Sequence, residues 1–232
     1  MSQQHPTFVD RFTRPIEIRP DNTALIVVDM QNATGNPNMG LGRLLQDEGR
    51  ADSAVYRFAR IENQLVPNIQ KLAAACRSVG ARVVYITYGS ELEDFSDMPA
   101  HMIRIVEATN NRAGRPEHEI VDALKPEPGE LVLNKKTMGA FGSTGIDCNL
   151  RAMGIETVLM VGVSTNNCVA MTAMEACDHQ YGVVTISDAT GTDSDEMQEA
   201  TLTMLQRLWG RVITTDEVIA ELTAGDARRA SA

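Results

Sequence analysis

Val158-Leu159-Met160-Val161-Gly162-Val163-Ser164-Thr165-Asn166-Asn167-Cys168-Val169 reads as a buried strand, a tight polar turn and the start of a helix. A continuous apolar run ended by Gly and small polar residues fits a central strand of a parallel sheet. The residues that follow (Ala170, Ala173, Met174, Ala176, Cys177) are small, apolar and mostly helix-forming. In an open α/β sheet the carboxyl ends of the strands form the ligand crevice. Cys168 therefore stands where chemistry is expected. A thiol in the first turn of a helix meets the positive end of the macrodipole, which favours thiolate. The competing reading is a small buried core residue. The decision rests on whether the chain supplies partners for the thiol.

Five further segments carry strand character: residues 23–29, 82–87, 130–134, 183–187 and 212–213. Helical spacing fills the intervals between them. Residues 59–79 repeat apolar positions at Ile61, Leu65, Ile69, Leu72 and Cys76, end at Gly80, and contain Pro67, which predicts a kink or a split. Residues 195–208 predict an amphipathic helix with Met197, Ala200, Met204, Leu205, Leu208 and Thr201 inward. Cys76 and Cys148 are read as structural. Strands alternating with helices predict a three-layer α/β/α, Rossmann-like fold with a mainly parallel six-stranded sheet. Residues 1–22 form a polar N-terminal arm, 23–223 the domain, and 224–232 a frayed tail. Residues 33–54 and 91–128 are long polar intervals suited to a lid, a specificity insertion or a subunit contact.

The first strand runs five apolar residues directly into Asp29, with no Gly or Pro between. That sets a carboxylate at the sheet's own end, partly desolvated, where its pKa is raised; the alternative is a turn or cap acid. The 130–134 strand ends at Lys135-Lys136, and alternation sends the two ammonium groups to opposite sides. In a parallel sheet all these ends meet at one rim, so an acid, an ammonium and a thiol can converge. Gln31, Asn32, Tyr88 and Asn167 lie near the same rim as candidate hydrogen-bonding partners for a ligand. Asn167 reads equally well as a turn residue.

Composition narrows the partners. The 232 residues carry a net charge of −10, which opposes non-specific nucleic-acid binding. No apolar run is long enough to span a bilayer, and residues 1–21 are too polar for a secretory signal. Four cysteines without a C-x-x-C pair point to a reduced, cytoplasmic protein. Four scattered histidines give no zinc pattern, so no metal site is expected.

Three segments in order resemble the isochorismatase-like superfamily of cysteine hydrolases: V-V-D-M-Q at 27–31, K-x-x-x-G-A-F at 135–141, and G-V-x-T-x-x-C-V at 162–169. The resemblance extends from Thr23 to about Ile219. It implies a catalytic triad of Asp29, Lys135 and Cys168, choosing Lys135 over Lys136. It also implies a cis peptide between Val163 and Ser164, with the Ser164 and Cys168 N–H groups forming an oxyanion hole. Gly139-Ala140-Phe141 departs from the family's usual Ser-Ala-Phe, with only a small local change expected and Phe141 placed under Lys135. The metal cluster of the nicotinamidase branch is missing from Thr87-Tyr88-Gly89-Ser90-Glu91. A cysteine at 168 favours C–N hydrolysis through a thioester over vinyl-ether cleavage. The implied enzyme is a cysteine-dependent amidohydrolase of a small amide or ureide/carbamoyl compound, releasing ammonia, requiring no cofactor and working as a dimer or tetramer. The alternatives are an isochorismatase-type vinyl ether hydrolase, a nicotinamidase-like amidase and a non-catalytic domain of the same fold.

Overall fold

The central apolar runs pair into one sheet because each is buried on both faces, as parallel strands covered by helices must be, while the edge runs at 131–135 and 211–213 are only partly buried. The computed structural model describes residues 12–230. Its strands are β1 (Thr23–Val28), β2 (Arg82–Tyr88), β3 (Leu131–Lys135), β4 (Thr157–Val163), β5 (Gly182–Gly191) and β6 (Arg211–Ile213). Their spatial order is β3-β2-β1-β4-β5-β6, and every pairing is parallel. The order reverses direction between β1 and β4, which opens a crevice at their carboxyl ends.

Alternation along the strands divides the core in two. Leu25, Val27, Val83, Tyr85, Leu159, Val161 and Val184 face one side. Ala24, Ile26, Val28, Val84, Val158, Met160 and Val183 face the other. The helices, in chain order, are α1 (Asn32–Gly35), α2 (Gly40–Asp47), α3 (Val55–Arg60), α4 (Val66–Ser78), α5 (Ile103–Ala108), α6 (Ile146–Ala152), α7 (Ala170–Asp178), α8 (Asp195–Leu208) and α9 (Thr215–Ala230). Helix α4 covers the first face with Ile69, Leu72 and Cys76, and α9 joins it with Val218 and Leu222. The second face is covered by Ile146 and Leu150 of α6, Ala170, Ala173 and Ala176 of α7, and Leu205 of α8.

Several elements depart from the expected pattern for physical reasons. The split expected at Pro67 takes the form of a π turn, Ile61–Leu65, which divides α3 from α4 and leaves Pro67 in the first turn of α4, where its missing N–H costs no helical bond. Strand β5 runs on to Gly191 through a register shift, after which Gly162 stands opposite Thr190. In α8 it is Gln198, Thr201 and Leu205 that are buried, while Met197, Ala200, Met204 and Leu208 face outward. Gln198 is drawn in because its amide accepts from Thr165 Oγ1 at 2.7 Å and donates to Thr190 O at 3.2 Å. Cys76 is buried as expected, but Cys148 is exposed and stabilises no core.

Helix α9 continues through Ala230, so the frayed tail assigned to 224–232 is helical over its described part, with Gly225 against Pro20 and Ile18. Of the N-terminal arm, residues 1–11 lie outside the described residues. The rest packs on the domain: Ile18 joins the core, and Arg14 donates to Gln180 O.

Gly162 permits the closest approach in the sheet. Its φ is +108°, and a Cβ there would stand 2.0 Å from the Val28 carbonyl oxygen. Gly162→Ala is therefore expected to cost about 3 kcal/mol or more, read as a lowered urea midpoint at unchanged m-value.

Candidate active site

Each candidate side chain is delivered by a strand end. Asp29 follows β1 and turns the chain with φ +50°, a conformation an aspartate tolerates better than most residues. Lys135 is the last residue of β3. Cys168 lies in a π turn, Thr165–Val169, that runs into α7. The peptide bond between Val163 and Ser164 is cis.

The three ends converge. Lys135 Nζ lies 3.0 Å from Asp29 Oδ2, 3.3 Å from Cys168 Sγ and 3.2 Å from Thr137 O, so each of its three protons has a direction assigned. The Tyr88 ring sits beneath the ammonium, 4.8 Å from centroid to Nζ. Asp29 and Lys135 are buried, and Cys168 is 7 % exposed. Lys136 points the other way, as alternation requires, to Asp97 at 2.9 Å and Gly89 O at 2.9 Å. Met138 Sδ touches Cys168 Sγ at 3.5 Å.

Burial, and then the Asp29 carboxylate, push the Cys168 thiol up to about 12, with Lys135 pulling the other way. The helix terminus, expected to favour thiolate, is thus outweighed by burial, while Lys135 acts in the lowering direction. Burial also raises Asp29, against the opposing pull of Lys135. Burial works against the Lys135 charge, yet Asp29 and Cys168 outweigh it and hold the ammonium above its ordinary range. These directions favour an ammonium at Lys135 and disfavour ionisation of the Cys168 thiol. Neither Asp29 oxygen makes a hydrogen bond of good geometry, so the carboxylate keeps free acceptor capacity.

The other rim candidates separate. Gln31 is fully buried and serves as a structural pin: it accepts from the Tyr88 N–H at 2.8 Å and donates to His118 O at 2.8 Å and Asn111 Oδ1 at 3.3 Å. Both its amide nitrogen and its carbonyl oxygen are thus bonded within the protein. Asn32 is half-buried and donates to Pro116 O, fastening the same return segment. Asn167 is exposed on the π turn. Tyr88 remains at the site through its ring.

Phe141 does not lie under Lys135. Its ring packs 4.8 Å from His179 and 5.9 Å from Tyr181. Its N–H donates to Glu175 Oε2 at 2.8 Å, and a Cβ at Gly139 would fall 2.2 Å from that carboxylate oxygen. Glycine at 139 thus makes room for Glu175, a contact that sequence spacing alone does not reveal.

The polar interval 91–128 closes over the rim in two parts. Residues 91–110 form an excursion whose ends meet, with Ser90 N–H donating to Asn111 O and Ala113 N–H to Ser90 O. Met98, Met102 and Val106 fill it against Tyr88. The return segment lies antiparallel to the turn after β1, with Gln31 opposite Ile120. Among the described residues no cluster of three or more His, Cys, Asp or Glu is placed to hold a metal ion, and no helix is long and apolar enough to cross a membrane.

Comparison with known proteins finds a family and several relatives. The isochorismatase domain model matches residues 23–217. The ureidoacrylate amidohydrolase RutB of Methylorubrum extorquens is 31 % identical over 231 residues, covering 93 % of this chain and 88 % of that protein. RutB of Rhizobium rhizogenes is 29 % identical over 225 residues, covering 90 % and 87 %. Among solved structures, a cysteine hydrolase from Pseudomonas syringae pv. phaseolicola superposes with a TM-score of 0.75 at 26 % identity, covering 91 % of this chain and 97 % of that one. The N-carbamoylsarcosine amidase of Thermoplasma acidophilum gives 0.62 at 26 % identity, covering 84 % and 97 %.

Proposed function

This chain belongs to the isochorismatase family, and we propose that it is a cysteine-dependent amidohydrolase of small ureides or carbamoyl compounds. The observation that carries the proposal is the buried junction of Asp29, Lys135 and Cys168 within 3.3 Å of the Lys135 ammonium. Relatives named ureidoacrylate amidohydrolase and N-carbamoylsarcosine amidase support the substrate class.

The mechanism follows from the resting charges. Asp29 takes the thiol proton as the substrate carbonyl arrives, so the thiolate forms only when it has an electrophile to attack. Lys135 stabilises the developing sulfur charge and holds Asp29 in place. The Ser164 and Cys168 N–H groups receive the tetrahedral oxyanion, a donor pair in which each is typically worth about 3 kcal/mol. Asp29 returns the proton to the leaving nitrogen and ammonia departs. A water then hydrolyses the thioester, Asp29 accepting its proton, to give a carboxylic or carbamic acid and the free thiol. All protons move between Asp29, Cys168, substrate and water, and the scheme uses no cofactor.

Two further features belong to the same reading. The free thiols of Cys76, Cys148, Cys168 and Cys177 suit a reducing cytoplasm. The outward Met197, Met204 and Leu208 of α8 form an apolar stripe suited to contact between copies in a homo-oligomer.

The test is ammonia release from a panel of primary amides and ureides, run beside a pyruvate assay with isochorismate. Ammonia from ureides is the expected result. Pyruvate release, or turnover of nicotinamide that depends on added metal, overturns the assignment.

A further inference from the structure

Arg57 is a buried cation that the mechanism above leaves unused. Its side chain is 7 % exposed, at the middle of α3. Nε donates to Thr34 O at 3.2 Å, and Nη1 donates to Ser164 Oγ at 2.8 Å and to Asp193 Oδ1 at 3.1 Å. Thr34 Oγ1 in turn donates to the carbonyl oxygen of Asp29 at 2.7 Å. One guanidinium therefore joins the turn after β1, which carries Asp29, to the turn after β4, which carries Ser164. The sheet does not reach this far, since β1 and β4 are last paired at Val28 and Gly162.

The side chain suits this task. Guanidinium protons lie in one plane at fixed angles, so the distance between two acceptors is set by the fork. A lysine brings the same charge on a single nitrogen and cannot hold both turns. The only carboxylate in contact with Arg57 among the described residues, Asp193, is 68 % exposed and its charge is screened by water. The buried charge is thus incompletely neutralised and acts inward. Burial raises Asp29 and Lys135 opposes it most, with Arg57 adding to that opposition.

We propose that Arg57 is a positioning residue, setting the separation between the turn that bears the general base and the turn that presents the Ser164 N–H. It acts through Ser164 Oγ and Thr34, and touches neither substrate nor reacting atoms. The inference rests on the amidohydrolase reading of Asp29 and Ser164. A misplacement of about 1 Å at such a site costs about 100-fold in rate.

The test is a double-mutant cycle on the full chain, using the best ureide of the ammonia panel. Arg57→Lys and Ser164→Ala are each expected to lower kcat by about 30-fold with KM within about threefold, because the loss is one of alignment. The double variant is expected to be no more than about twofold worse than either single one, since both break the same link. Losses that multiply, or a change confined to KM, overturn the proposal.

Arg57→Gln supplies a readout that an inactive fraction does not move. The groups facing Asp29 are Lys135, Cys168, Tyr88 and Arg57. Removing the cation takes away one lowering influence on Asp29, so the acid limb of the kcat/KM profile is expected to move to higher pH, and to stay in place in Arg57→Lys. A limb unmoved in Arg57→Gln overturns the proposal. If Arg57→Lys does not fold, Ser164→Ala alone decides: kcat lost at constant KM supports the link, and wild-type kcat removes it. A wild type silent on every ureide defeats the amidohydrolase reading itself, whereas an active wild type with multiplying losses defeats Arg57 alone.

Discussion

Cys168→Ala is expected to lower ammonia release by about 10⁵-fold, with the fold retained. Losing a nucleophile removes the covalent route, and what survives is the catalysis the oxyanion donors and binding supply alone. The substitution deletes one buried sulfur whose neighbours hold their places through other contacts, Lys135 Nζ to Asp29 and Thr137 O, and Met138 against the cluster of Tyr88, Met98, Met102 and Val106. The melting temperature is therefore expected within a few degrees of wild type, at about 1 kcal/mol of stability. Mass spectrometry of acid-quenched wild type during turnover is expected to show a substrate-derived adduct on the peptide containing Cys168, absent from the variant. Equal turnover by Cys168→Ala removes the nucleophile assignment, whatever the remaining geometry.

The second large effect separates two things that usually move together. Asp29→Asn is expected to lower turnover by about 10³-fold or more, because the general base is gone. It is also expected to make Cys168 react faster with iodoacetamide at pH 7, by more than about tenfold. The sign follows from the charges. Burial and then the Asp29 carboxylate push the thiol up to about 12, while Lys135 pulls it down. Removing the carboxylate deletes one raising influence and leaves the ammonium 3.3 Å from sulfur, so the thiol pKa falls and more thiolate is present. In the wild type, alkylation is correspondingly expected to be slower at Cys168 than at exposed Cys148 across pH 7–9. Slower alkylation in Asp29→Asn shows instead that the resting enzyme holds a thiolate–ammonium pair that Asp29 sustains.

The ends of the strands were legible because apolar runs broke off at residues that stand out. Asp29 is pressed against five apolar residues, Lys135 ends β3, and Cys168 opens a helix. Alternation alone separated Lys135 from Lys136, and both sit as it demands. What failed were inferences from residue type. Met197, Met204 and Leu208 look like a core face, yet Gln198 occupies it because its amide satisfies the turn beside Cys168. Gln31 looks like a ligand contact, yet every polar atom of its side chain is spent inside the protein. Arg57 and Glu175 gave no signal, since a charged residue on a helix ordinarily faces water. Only the partners brought to them by distant segments, the acceptor Ser164 Oγ for one and the donor Phe141 N–H for the other, give them purpose.

The excursion at 91–110 leaves and re-enters the domain at nearly the same point, sealed by the bonds between Ser90 and Asn111 and Ala113. An excursion closed at its base is a replaceable cassette. Lengthening it costs only about 0.6 kcal/mol of closure entropy per doubling, while Asp29, Lys135 and Cys168 stay anchored on separate strands. Heredity can therefore retailor the roof of the site, one insertion or deletion at a time, without renegotiating the chemistry below. The same seam marks where a designer would splice in a roof borrowed from another member of the family.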